Sequence, residues 1–177
     1  MTNTRPPGKV ILYITFDIDQ DSQLLNWSFT LNGKPITGDG VETGLLAFVK
    51  GDTLQVNATA KSQNGNLAQI SINDCYIITV PRVITRREDP EQAGQFAPPS
   101  PFSRENAVVN LGTGSFEGNN MEAIWRCEVP LECTNQGRWE LSFIMTTTID
   151  RIGDKLGQGE RRVFDFDPEC EVGGGVG

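Results

Sequence analysis

Trp139-Glu-Leu-Ser-Phe-Ile-Met-Thr-Thr-Thr-Ile149 decides the fold class of this chain. Trp139, Leu141, Phe143, Met145, Thr147 and Ile149 fall on one parity, while Glu140, Ser142, Thr146 and Thr148 fall on the other. Successive side chains of an extended backbone point to opposite faces, so this period of two describes a long strand with one oily and one wetted face. The rhythm recurs outward from it. Leu54, Val56, Ala58 and Ala60 alternate with polar residues directly after the turn-forming Lys50-Gly-Asp52. Trp27, Phe29 and Leu31 do the same, followed by Asn32-Gly33, a dipeptide suited to positive φ that predicts a tight hairpin toward Ile36. Met121, Ala123, Trp125, Cys127 and Val129 form the apolar face of another segment.

Val10–Ile18 and Tyr76–Val80 are apolar on both parities in part, which predicts central strands covered on two sides. Asp19–Leu25 and Arg104–Val109 have room for a helical turn or two, and no longer helical periodicity is present. Eight or nine short strands between Gly, Asn, Asp and Pro clusters predict an all-β protein. The expected architecture is a single antiparallel β-sandwich over residues 1–177, immunoglobulin-like or jelly-roll-like, with a closed β-barrel as the alternative. Residues 86–102 contain four prolines and too few apolar residues for a strand, so an extended surface connection is expected there. A flexible Gly-rich tail is expected at 173–177.

The 177 residues include no His, which excludes Ser-His-Asp and Cys-His hydrolases, His-ligated zinc or haem and imidazole switches. Fifteen Lys and Arg against 23 Asp and Glu give a net charge of −8, which argues against nucleic acid as a partner. The polar, proline-rich opening does not resemble a secretory leader, and no apolar run is long enough to span a bilayer as a helix. A cytoplasmic location away from the membrane is the expectation. Asn26-Trp-Ser28 and Asn57-Ala-Thr59 match the glycosylation acceptor but then read as chance.

Asp17, Asp19 and Asp21 have the spacing that opens a calcium loop, but Ser22 and Ser28 stand where that loop needs its glycine and its closing glutamate. Calcium is therefore the one cofactor weighed, against none. Asp165, Asp167, Glu169 and Glu171 alternate with Phe164, Phe166, Pro168 and Cys170, which predicts a row of carboxylates on one side of a strand. That row is either a solvated edge limited by Pro168 or a patch that gathers a basic partner or cations. Gly38–Gly44 and Gly112–Gly118 lack the spacing and lysine of a phosphate loop and read as turns. Of the four cysteines, Cys127 reads as a core residue and Cys133 as exposed; in an oxidising compartment the two could close a short loop.

Val49-Lys-Gly-Asp-Thr-Leu-Gln-Val56, Gly137-Arg-Trp-Glu-Leu-Ser-Phe143 and Val163-Phe-Asp-Phe-Asp-Pro-Glu-Cys-Glu-Val172 resemble, in order and spacing, the AidA/PixA inclusion-body protein family of bacteria. The resemblance implies a cytoplasmic, non-catalytic β-sandwich that accumulates and self-associates as a homo-oligomer, with no catalytic residues to transfer. Two other functions stay open: a carbohydrate-binding or adhesin-like module stacking sugars on Trp27, Trp125 and Trp139, and a histidine-free enzyme working through paired carboxylates.

Overall fold

A computed structural model describes residues 5–36, 45–86, 89–127, 129–155 and 158–173. They form fourteen strands and no helix, arranged in two seven-stranded sheets packed face to face and not closed into a barrel. The sandwich expected from the alternation is the architecture. The turns allowed for at Asp19–Leu25 and Arg104–Val109 stay non-helical.

The first sheet is built on β1 (Lys9–Asp17), flanked by β2 (Asn26–Leu31) and β5 (Thr53–Lys61). The two-residue β3 (Lys34–Pro35) closes the predicted hairpin on β2, with Asn32 and Gly33 at φ 50° and 80°. On its other edge β5 pairs with β10 (Glu122–Arg126) and then with β11 (Leu131–Glu132), and β10 carries the short β9 (Glu117–Gly118). The second sheet is built on the long pair β6 (Leu67–Pro81) and β12 (Gly137–Arg151). Beyond β6 lie β7 (Val108–Asn110) and β8 (Gly114–Ser115). Beyond β12 lie β13 (Glu160–Phe166) and β14 (Glu169–Val172), and β14 in turn pairs with β4 (Leu45–Phe48).

One part of the expectation is corrected: the sheets are mixed. β1 runs parallel to β5, and β14 parallel to β4. Alternation sorts side chains between faces and is the same in either strand direction, so it carries no information on this point.

Every inward position of β12 is buried, from Trp139 to Ile149, and β5 follows the same rule. Phe16 lies between the rings of Phe164 and Phe116, with centroids 4.3 and 6.2 Å away, and Phe166 packs on Phe143 at 5.5 Å and Trp27 at 5.9 Å. These rings form the middle of one continuous apolar cluster between the sheets. All three indoles face inward: Trp139 is sealed, Trp125 is 6% exposed and Trp27 is half-buried.

The proline-rich segment lacks regular strand, as read, but its second half is tied to the sandwich. Trp139 Nε1 donates to Pro98 O at 2.7 Å, Thr79 Oγ1 to Pro99 O at 2.6 Å and Asn135 Nδ2 to Ser100 O at 2.8 Å. Proline carbonyls keep both lone pairs, so a segment poor in N–H groups can still be anchored through its oxygens. The Gly38–Gly44 turn and residues 174–177 of the tail lie outside the described residues.

Candidate interaction surface

β6 and β12 each lie between neighbouring strands, yet their outward side chains are not covered by any third layer among the described residues. The registers place those side chains in rows. Asp165, Ile144, Tyr76 and Asn110 align across β13, β12, β6 and β7, and Ser142, Ile78 and Val108 form the next row. Val163 lies diagonal to Ile144, two residues from Asp165, and Val80 lies two residues beyond Ile78. Diagonal neighbours on a sheet remain within reach of one another. The result is a continuous apolar stripe: Val163, Ile144, Tyr76, Ile78, Val108 and Val80. Val163, Val108 and Val80 are 55%, 54% and 49% exposed. The double apolarity of Tyr76–Val80, which predicts a strand covered on two sides, is thus met by protein on one side only among the described residues.

Charge borders the stripe. Arg82 pairs with Glu140, which is opposite Val80 in register, and Arg138 Nη2 donates to Glu169 at 2.6 Å. On the opposite border Asp74 accepts from the Tyr76 hydroxyl and from Thr146 Oγ1, both at 3.2 Å. Hydrogen bonding to that carboxylate, and its charge, raise the Tyr76 pKa above its ordinary value.

The carboxylate row predicted from the sequence lies along this same outer face. Phe164, Phe166, Pro168, Cys170 and Val172 turn inward and are buried, so Asp165, Asp167, Glu169 and Glu171 turn outward. The row is interrupted rather than continuous: β13 ends at Phe166, Leu141 N donates to Pro168 O, and β14 resumes at Glu169. β14 is not an edge, because it pairs with β12 on one side and β4 on the other. Glu169 is neutralised by Arg138, while Asp165 Oδ1 is sealed with no donor among the described residues. Asp167 is exposed.

Asp17 and Asp19 meet protein partners instead of converging with Asp21 on a common point. Asp17 Oδ1 accepts from Asp19 N at 2.8 Å, a local turn. Asp19 Oδ1 accepts from Arg151 Nε at 3.1 Å, and the same guanidinium holds Glu160 at 2.8 Å and Ile18 O at 2.8 Å. Asp21 stays at the surface. Among the described residues no three Cys, Asp or Glu side chains are grouped as a metal ion would need.

Sequence reasoning missed two residues. Cys133, read as exposed, is buried: its N–H donates to Asp52 O and its own carbonyl accepts from Gly51 N, which folds its turn beneath the β4–β5 connection. Asp52, read as a turn former, is fully buried and accepts from Arg5, Gly8 N and Val49 N. Their burial has no local signal, since apart from Val49 the partners named here lie 44 to 82 residues away in the chain.

No family model and no curated protein matches this chain. No helix among the described residues is long and apolar enough to cross a membrane.

Proposed function

We propose that this chain is a non-catalytic β-sandwich that acts by binding, and that its partner at the second-sheet face is another copy of itself. The observation that carries this reading is the apolar stripe from Val163 to Val80 on an otherwise wetted sheet. Contiguous exposed apolar surface is uncommon on monomers and marks contact sites. A second copy fits the border better than a uniformly charged partner does. The stripe is flanked by both signs of charge, Arg82 with Glu140 and Arg138 with Glu169, so a two-fold axis through it can set each cation against the other copy's carboxylate. The resemblance to the inclusion-body family supports the same reading, including the cytoplasmic location and the tendency to accumulate.

The reading is tested by light scattering on the chromatographed protein from about 10 μM to 1 mM, a range that detects even modest affinities. The wild type is expected to exceed the 19.4 kDa of one chain, and a Val80→Lys/Val108→Lys variant to return to it with unchanged circular dichroism. A wild type that stays at one chain's mass throughout rejects self-association. A variant that associates as the wild type does places the contact elsewhere.

A further inference from the structure

A cavity of about 680 Å³ opens beside the unpaired end of β10, against the β7–β8 edge of the second sheet. Its walls include Leu111, Trp125, Cys127, Val129 and Leu131, with Arg126 at the rim. Size and lining match those of small-molecule sites, which are mostly apolar with a few placed polar groups.

The decisive group is the Trp125 indole. Trp125 is 6% exposed, and its Nε1–H has no acceptor among the described residues. Buried indole N–H groups normally find one, as Trp139 does on Pro98 O. Four side-chain atoms are sealed without partners, namely Thr30 Oγ1, Asn57 Oδ1, Thr147 Oγ1 and Asp165 Oδ1. Trp125 Nε1 is not one of them, so its unpaired donor opens onto the cavity that Trp125 lines.

The wall facing it is made from the glycine-rich stretch that resembles no phosphate loop. Gly114 sits at φ 150°, and a Cβ there would stand 3.1 Å from Trp125 Nε1. The missing side chain keeps the space in front of the donor free. β9 pairs only with Ala123 and Ile124, so β10 has no neighbouring strand on this side at Arg126 among the described residues, and the Arg126 guanidinium forms no ion pair among them. The indole N–H and the guanidinium are thus unused donors on this wall, while Glu117 brings the one carboxylate among the lining residues.

We infer that this cavity binds a small apolar molecule carrying an acceptor oxygen, which takes the Trp125 Nε1–H while the apolar body lies against Leu111, Val129 and Leu131. The site does not depend on self-association through the second-sheet face.

The test uses the full ¹⁵N-labelled chain and two probes with the same tail. One is 2-octanone, which brings an acceptor, and the other is octylammonium, which brings only donors. 2-Octanone is expected to move the Trp125 indole cross-peak, identified by its loss in Trp125→Phe, and octylammonium to leave it in place. Trp125→Phe should weaken 2-octanone about fivefold, the worth of one neutral hydrogen bond. Gly114→Ala, which places a methyl before the donor, should do the same while the Trp27 and Trp139 cross-peaks hold their positions, and it decides the matter if Trp125→Phe fails to fold. An unmoved Trp125 cross-peak, equal movement by octylammonium, or wild-type affinity in Gly114→Ala would overturn the inference.

Discussion

Asp52→Asn is a conservative change in volume whose cost follows from the contacts it breaks. The carboxylate is 0% exposed. Its Oδ1 accepts from Gly8 N and Arg5 Nη1, each at 2.7 Å, and its Oδ2 accepts from Val49 N at 2.8 Å and pairs with Arg5 Nη2. One side chain thus joins the start of β1, the end of β4 and the Arg5 segment. Its own backbone carbonyl holds Cys133 N at 2.8 Å. Asparagine keeps the volume but replaces one oxygen with a donor. On that side a buried N–H and one arm of the guanidinium lose their acceptor and meet an N–H₂ instead. Breaking a buried, hydrogen-bonded charge pair from one side costs about 3–5 kcal/mol. At about 2–4 °C per kcal/mol for a chain of this length, the melting temperature should fall by roughly 10 °C. Arg5→Gln should cost less, about 1–3 kcal/mol, because the Asp52 carboxylate loses its cation but keeps the Gly8 and Val49 N–H groups, and the partly exposed Arg5 side chain is replaced by one that still donates. Reversible denaturant unfolding followed by tryptophan fluorescence measures both. An Asp52→Asn variant within about 1 kcal/mol of wild type, or an Arg5→Gln variant that loses more than Asp52→Asn, refutes the reasoning.

Two further outcomes concern the core. Burial pushes the Cys75, Cys133 and Cys170 thiols above their ordinary value of 9.0, so the folded state holds their protons after the unfolded chain has released its own. Stability should therefore be flat in this respect below pH 8 and fall above pH 9, at up to about 1.4 kcal/mol per pH unit for each thiol; a flat profile from pH 8 to 10.5 would contradict the burial. Trp139→Phe removes the donor to Pro98 O and leaves space behind it, for a loss of about 2–3 kcal/mol. Amide exchange should accelerate first at Ala97, whose N–H donates to Arg82 O at 3.0 Å one residue before Pro98, and unchanged protection there would show that this backbone bridge holds the proline segment without the indole.

The acidic row and the stripe were legible from the sequence to different degrees. The outward turn of Asp165, Asp167, Glu169 and Glu171 follows from parity with Phe164, Phe166 and Cys170, a local property of extended backbone. The same parity exposed the oddity of Tyr76–Val80, but it could not say whether the second apolar face meets protein or water. That depends on whether another layer exists to cover it. Asp19 shows the converse. Its spacing from Asp17 and Asp21 suggested a cation, whereas the fold brings a guanidinium from 132 residues away.

By itself the amino-acid order determined which side of each strand is oily, where Asn32-Gly33 turns the chain, and that two sheets must close over the rings between them. These are consequences of a two-residue repeat and of local backbone preference. Only the tertiary structure decided that β5 lies parallel to β1 and β4 to β14, that Asp52 and Cys133 are sealed, and that Trp125 keeps an unused donor beside a cavity. Those outcomes depend on which distant segment arrives as a neighbour, and burial, hydrogen-bond partners and open space are properties of neighbours rather than of residues.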